Sequence, residues 1–321
     1  MSDLILFKNV KGKSIEWIYP PYIPKGKVSL ICGNPGCGKT TFALALTALL
    51  SRGDYLPLSE QRNEPLKILY QTAEDGLEDT IIPRLKKFDA NFENIAAINN
   101  KDLSFIDYDV IEESILDFGA NIIFFDPLQA FIGKSNISST NEMRTVLGPL
   151  SEIANRTGCA IVILFHFNKN FSAPSMYRIL GSIDIVALAR SILVLSDHPD
   201  DENKKVLCPI KNNFSNVNQS LVFKITDDGI TWLEYCDIDS NELSQAYSPT
   251  NFKNACDMLT ELLKNDNMKS RDIIDIMLKA GIGFTTLKKA KKHLNVKSRK
   301  IGKCWYYEKL SLDDGAGDYF E

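Results

Sequence analysis

The chain has 321 residues, 44% hydrophobic and 24% charged, with a formal net charge of −4. That length carries one large folding unit plus a small one, and the composition excludes a disordered or fibrous chain. No apolar run reaches bilayer-spanning length, the opening MSDLILFKNVKGKS lacks a secretory core and cleavage site, and seven Cys include no CxxC pair; these features exclude a membrane span and a disulfide framework and point to a reducing, cytoplasmic setting.

Prolines exclude a helix in Trp17-Ile-Tyr-Pro-Pro-Tyr-Ile-Pro-Lys-Gly26. Residues 1–27 are expected to be a lead-in packed on the core, with base stacking by Trp17 or Tyr22 the alternative. Val28–Cys32 predicts a buried strand, and Thr41–Leu50 predicts a helix that ends before Gly53. Between them stands GNPGCGKTT, residues 33–41. Gly33, four residues, then Gly38-Lys39-Thr40 is the P-loop spacing, and strand-loop-helix is the context it needs. Gly33, Gly36 and Gly38 let main-chain N–H groups turn inward, and the helix N-terminus adds its positive dipole end. Gly33, Asn34, Pro35, Gly36, Cys37, Gly38, Lys39, Thr40 and Thr41 therefore form the expected phosphate cradle for ATP. Lys39 would reach the β- and γ-phosphates, and the Thr40 hydroxyl would ligate Mg²⁺.

Further along, strands are predicted at 68–72, 122–126, 160–165 and 191–195, and helices at 79–88, 111–118 and 142–156. Asn141 serves as N-cap of the last helix and Gly158 as its stop. This alternation means a mainly parallel sheet covered on both faces. Shorter strands near 206–211, 221–226 and 230–235, the last two joined by Asp227-Asp-Gly229, add an antiparallel edge. Asp126 ends the apolar run IIFF as a metal-holding aspartate should. Pro127 follows it, so a water-activating carboxylate must lie elsewhere. Glu74 is preferred, with Asp75 the rival, because both follow strand 68–72 at the end where ligands collect. His166 ends strand 160–165 at that same end and suits contact with the γ-phosphate.

After a polar stretch at 237–250, the C-terminal part is helical and basic. Helices are predicted from Phe252 to Lys264, from a Ser270 cap through Lys279 to a stop at Gly281, and from a Thr285 or Thr286 cap through Leu294. Val296–Tyr307 reads as a hairpin, which completes a winged helix-turn-helix arrangement. Residues 285–303 hold eight Lys or Arg and no Asp or Glu. Lys288, Lys289, Lys292, Lys297, Arg299 and Lys300 are the expected contacts to duplex DNA. The expected layout is an ATPase domain over 1–240, a linker over 241–251, a winged-helix domain over 252–310 and a disordered acidic tail over 311–321.

GNPGCGKTT, YQTAED, FFDPLQAFIG, LFHFNK and GSIDIVALARSILVL occur in an order that resembles RecA-like AAA-family ATPases of phages, plasmids and other mobile elements. That group is similar to the hexameric replicative helicase RepA of plasmids and, more distantly, to DnaB-type helicases. The likeness covers roughly residues 15–235. It implies that Glu74 is the catalytic glutamate, His166 a sensor and Arg190 a finger reaching a neighbouring subunit's nucleotide. Lys211 is a second finger candidate, on a strand without the arginine that DnaB-type rings carry; Phe167 stands where the family often has another His. It also implies two loops threading single-stranded DNA, Gly133–Asn141 and Asn168–Ser182, with Lys134, Lys169 and Arg178 for charge and Phe171 and Tyr177 for stacking. The expected protein is a DNA-dependent ATPase of a mobile element, a hexameric replicative helicase or translocase. The alternative is an ATP-gated DNA-binding regulator or helicase loader with slow turnover. The basic C-terminal part argues against a small-molecule kinase.

Overall fold

The computed structural model describes residues 4–60, 62–100, 102–132, 140–167, 187–199, 201, 203–215, 219–239, 243, 249–302 and 304–308. The continuous apolar runs become interior strands because both their faces are covered. Strands β1 (Trp17–Tyr19) and β2 (Ile23–Pro24) form a small antiparallel pair. The main sheet contains β3 (Val28–Gly33), β4 (Ile68–Thr72), β5 (Ile95–Ala96), β6 (Ile122–Asp126), β7 (Ala160–His166), β8 (Ser191–Asp197), β9 (Lys205–Asn212), β10 (Ser220–Thr226) and β11 (Gly229–Cys236). Their order is β11-β10-β9-β8-β3-β7-β6-β4-β5. Strands β8 through β5 in that order run parallel, and β9, β10 and β11 continue the sheet antiparallel. The predicted α/β class with an antiparallel edge is the observed one.

Strand alternation divides the core in two. Leu30, Ile123, Ile161 and Ile163 face α3 (Tyr108–Phe118), α4 (Leu128–Phe131) and α5 (Thr140–Thr157) through Ile111, Ile115, Phe131, Leu147 and Leu150. Ile31, Phe124, Val162 and Leu164 face α1 (Lys39–Arg52) and α2 (Ile82–Lys87) through Phe42, Leu46 and Leu85. The first of these helices ends at Gly53, whose left-handed φ of 66° and N–H to the Leu49 and Leu50 carbonyls close it as expected.

The C-terminal part is built from α6 (Pro249–Leu262), β12 (Met268–Lys269), α7 (Ser270–Lys279), α8 (Phe284–His293), β13 (Ser298–Ile301) and β14 (Cys304–Tyr307). Its strands pair in the order β12-β14-β13. Leu259, Leu263, Ile273, Met277, Leu287 and Val296 form an apolar cluster of their own.

Several local expectations are corrected. Tyr22 is 1% exposed and its hydroxyl donates to the Gln219 carbonyl at 2.9 Å, so it cannot stack on a base. The lead-in packs only from Trp17 onward; residues 4–16 are all exposed. Asn141 lies inside α5, which starts at Thr140. Ser270 is the first residue of its helix, and its hydroxyl donates to the Trp305 carbonyl at 3.1 Å. Neither Thr285 nor Thr286 caps α8, whose N-cap is Gly283; a Cβ there would sit 2.8 Å from the Pro199 carbonyl. The helix expected over 79–88 opens as a wider π-type turn, Leu77–Ile81. Within the expected linker, Leu243 is buried in the α5-side core of the main sheet. The tail, residues 133–139 and 168–182 of the two expected DNA loops, and Lys303 lie outside the described residues.

Candidate nucleotide site

The P-loop leaves the C-terminal end of β3, a central strand flanked by β7 and β8. A Cβ on Gly33 would come within 2.4 Å of the Leu195 carbonyl, so the close approach of β8 requires glycine. Gly36 and Gly38 hold φ of 74° and 101°, a region L side chains avoid. Gly38 is the N-cap of α1 and supplies no side-chain cap, so the first-turn N–H groups stay available to an anion. The Lys39 ammonium, 3% exposed, donates to the Gly33 and Asn34 carbonyls at 3.1 and 2.9 Å. Cys37 Sγ lies 3.8 Å from it, and burial raises that thiol's pKa against the pull of Lys39. Cys37 is therefore a buried thiol. All seven cysteines are free.

Asp126 ends β6 beside this loop. Its carboxylate is 5% exposed, accepts the Tyr70 hydroxyl at 2.9 Å and is hydrogen-bonded by Thr40. Burial raises its pKa, while Thr40, Tyr70 and Lys39 oppose that rise. A carboxylate and a threonine hydroxyl in one dry corner form an oxygen donor set that suits a hard divalent cation such as Mg²⁺. The uncapped helix start and Lys39 suit a phosphate chain. The residues present fit both groups.

Glu74 and Asp75 follow β4, and His166 ends β7. Asp75 pairs with Arg84 at 3.5 Å, and its N–H donates to Thr72 Oγ1 at 3.3 Å. Glu74 instead points its Oε2 to within 3.9 Å of His166 Nε2, with its side chain 63% exposed. Burial and then Lys39 depress the His166 pKa, outweighing Glu74. The imidazole is thus neutral near pH 7, and its short approach to Glu74 is not a full ion pair. His166 Nδ1 and Gln129 Oε1 are buried with no hydrogen-bond partner, and Gln129 Nε2 donates to the His166 carbonyl at 3.2 Å. Tyr70 and Gln129 fall within the stretches YQTAED and FFDPLQAFIG, but no role was expected of either; only their neighbours in the folded chain mark them.

One edge of the sheet therefore gathers Lys39, Thr40, Glu74, Asp126 and His166. Arg190 is not among them. Its N–H donates to the Val28 carbonyl at 2.9 Å, at the start of β3. The P-loop begins five residues later, about 17 Å along the strand at ~3.3 Å per residue. Lys211, paired with Ile192, lies at the same far edge, and its ammonium donates to the Ala189 carbonyl at 2.9 Å. Arg190 is exposed, so it is the cation better able to reach another molecule. In the C-terminal part, Lys288, Lys289, Lys292, Lys297, Arg299 and Lys300 are exposed on α8 and the β13 hairpin side. Lys291 is used internally: its ammonium bonds Ser298 Oγ and lies 4.4 Å from the Tyr307 ring centre. Lys134, Lys169 and Arg178 lie outside the described residues.

Residues 3–171 match the sequence family described as AAA domain. The DNA repair protein RadA of Bacillus subtilis is 22% identical over 213 residues, covering 65% of this chain and 41% of RadA. The RadA of Escherichia coli is 26% identical over 208 residues, covering 64% of this chain and 40% of its own length. The chain thus spans about two fifths of the length of these relatives. Among solved structures, a DnaB-like replicative helicase superimposes with a TM-score of 0.52 at 14% identity, covering 66% of this chain and 58% of the helicase. No helix among the described residues is long and apolar enough to cross a membrane.

Proposed function

The chain belongs to the AAA domain family, and from that membership we propose that it is a DNA-dependent ATPase of a mobile genetic element, a ring-forming replicative helicase or translocase. The observation that carries the proposal is the split between the two sheet edges. Lys39, Thr40, Asp126, Glu74 and His166 meet at one, while Arg190 lies at the other. A second copy is therefore needed to bring Arg190 to a nucleotide, and a closed ring, hexameric in this reading, satisfies every copy alike. The mobile-element assignment rests on the order of motifs. The DNA assignment rests on the exposed basic face of α8 and the β13–β14 hairpin, which we take as a winged-helix reader of duplex DNA. The relatives' names, a DNA repair protein and a replicative helicase, agree with it. Lys134, Lys169 and Arg178 are proposed to follow the single strand.

In this reading the P-loop N–H groups and Lys39 hold the β- and γ-phosphates of ATP. Thr40 and Asp126 hold Mg²⁺, which when bound neutralises charge on the phosphate oxygens. Glu74 is free of the Asp75–Arg84 pair and is the group left to accept a proton from an attacking water. His166, neutral and adjacent to Glu74, registers the γ-phosphate and passes its loss to the chain that follows β7. Arg190 of one copy completes the neighbour's site, a contribution worth ~10³–10⁵ in rate in comparable systems.

The test is steady-state ATP hydrolysis at low salt, with and without single-stranded DNA, with Glu74→Gln as control. Strong stimulation that vanishes in the variant is expected. A slow rate indifferent to DNA would replace the motor with an ATP-gated loader or regulator, whose working part would be the basic face of α8.

A further inference from the structure

Two buried polar atoms at the candidate site have no hydrogen-bond partner among the described residues: His166 Nδ1 and Gln129 Oε1. They belong to side chains that already meet, since Gln129 Nε2 donates to the His166 carbonyl at 3.2 Å. Gln129 sits on α4, which follows β6 after Pro127 and lies along β7, with Leu128 and Phe131 buried. Unpaired buried polar groups are costly and few in folded proteins, so two at one contact call for a physical account.

The chemistry of the pair admits one simple repair. A neutral imidazole carries one donor and one acceptor nitrogen, and an amide oxygen only accepts. Burial and then Lys39 hold His166 in its neutral form near pH 7. Of the two tautomers, only the one with the proton on Nδ1 can serve Gln129 Oε1. The last torsion of a glutamine is soft, so a small turn brings the oxygen to the ring while the amide nitrogen stays by the carbonyl. The nitrogen left bare is then Nε2, which lies 3.9 Å from Glu74 Oε2. Two acceptors cannot bond each other, but they can share a molecule with two donors. A water about 2.8 Å from each of them would see the two atoms roughly 90° apart, near its own bond angle.

We propose that Gln129 fixes the proton of His166 on Nδ1, and that the bare Nε2 and Glu74 Oε2 together orient the water that attacks the nucleotide. Gln129 is a positioning residue, because it acts through His166. The water keeps its oxygen lone pairs for the γ-phosphate and gives its proton to Glu74; His166 takes none. His166 therefore registers the γ-phosphate through this water. The inference rests on the proposed ATP hydrolysis, but the tautomer belongs to the chain alone and is measured without nucleotide.

The experiment is long-range proton–nitrogen NMR of the imidazole rings in the full chain, without nucleotide and above the His166 pKa, with steady-state ATP hydrolysis beside it. The chain has three histidines. The signal lost in His166→Gln assigns the ring, and His198 and His293 report that each variant is folded. The unaltered chain is expected to show the Nδ1–H form. Gln129→Leu is expected to revert to Nε2–H, the form that a free histidine side chain prefers in water. Its kcat is expected to fall at least about tenfold, with the KM for ATP within about twofold. Gln129→Glu also accepts from Nδ1 and is expected to keep the Nδ1–H form. Its carboxylate raises the His166 pKa, so the acid limb of its kcat profile moves to higher pH. Three results overturn the proposal: Nε2–H in the unaltered chain, Nδ1–H retained in Gln129→Leu, or a kcat that ignores the switch. A chain with the expected tautomers and no ATP hydrolysis would instead remove the proposed function, and the oriented water with it.

Discussion

Tyr70→Phe removes one oxygen and keeps the ring that tilts against Phe124 with centroids 5.7 Å apart. The lost hydroxyl donates to Asp126 Oδ2 at 2.9 Å, with Tyr70 and Asp126 only 2 and 5% exposed. A hydrogen bond to a charged acceptor contributes about 1.5–3 kcal/mol, which is roughly 10- to 150-fold in an equilibrium, and groups that orient metal ligands typically change affinity ~10–100-fold. Without the hydroxyl, the Asp126 pKa also moves further up, since burial already raises it and Tyr70 opposes that rise. The expected outcome is a half-saturating Mg²⁺ concentration for ATP hydrolysis raised ~10–100-fold. The rate at saturating Mg²⁺ should change far less, and binding of a fluorescent nucleotide in chelator should not change. An unaltered Mg²⁺ titration would refute a positioning role for Tyr70. Equal loss of metal-free nucleotide binding would also refute it, by showing that the hydroxyl serves the loop rather than the carboxylate.

Four further outcomes follow from the same geometry. Burial holds the Asp126 pKa above its unfolded value, so its ionised form costs stability at neutral pH, and the cost fades as pH falls toward the unfolded ~3.9. Asp126→Asn should therefore raise the melting temperature of the metal-free protein, by about 2–4 °C for each kcal/mol released, while abolishing Mg²⁺-dependent hydrolysis. The His166 pKa is depressed, so between the unfolded ~6.5 and the native value the unfolded chain binds more protons and stability drops on acidification; urea titrations of His166→Gln should show a flatter dependence across that window. In Gly33→Ala the new methyl meets a main-chain oxygen at 2.4 Å, and an unfolding free energy lower by ~1–3 kcal/mol, read as a lower urea midpoint, is expected. Leu259→Ala, in the C-terminal cluster, should cost about 2–5 kcal/mol there, weakening duplex binding in a low-salt mobility shift more than it weakens hydrolysis.

What the sequence made legible is what local physics determines. Val28–Cys32, Ile122–Asp126 and Ala160–Phe165 are apolar on both faces, and only a covered sheet accommodates that. The spacing from Gly33 to Thr40 has one structural meaning, and the structure bears out its strand-loop-helix setting. Helix starts were less legible, because the residues that decide them act across space. Gly283, not Thr285 or Thr286, is the N-cap of α8, and Pro199, from a segment 84 positions earlier, approaches it so closely that a Cβ would lie 2.8 Å from the proline carbonyl. Tyr70 reads as an ordinary strand aromatic until β4 lies beside β6 and its hydroxyl reaches Asp126. Likewise, nothing in the run LFH shows that His166 approaches Glu74 and ends up neutral. Arg190 carries a family likeness, but its separation from the P-loop depends on β8 running parallel to β3.

The placement of β3 also bears on how the chain is made. Gly33 pairs with His166, and Cys32 with Val194. At synthesis rates of ~5–20 residues per second, the strand that carries the phosphate loop waits roughly 7–30 s for its first neighbour. During that interval an apolar ribbon leaves the ribosome with both edges unpaired, beside a helix that has no sheet to cover. The candidate nucleotide pocket consequently closes only after about half of the chain has been made, because His166 on β7 is the last of its residues to be synthesised.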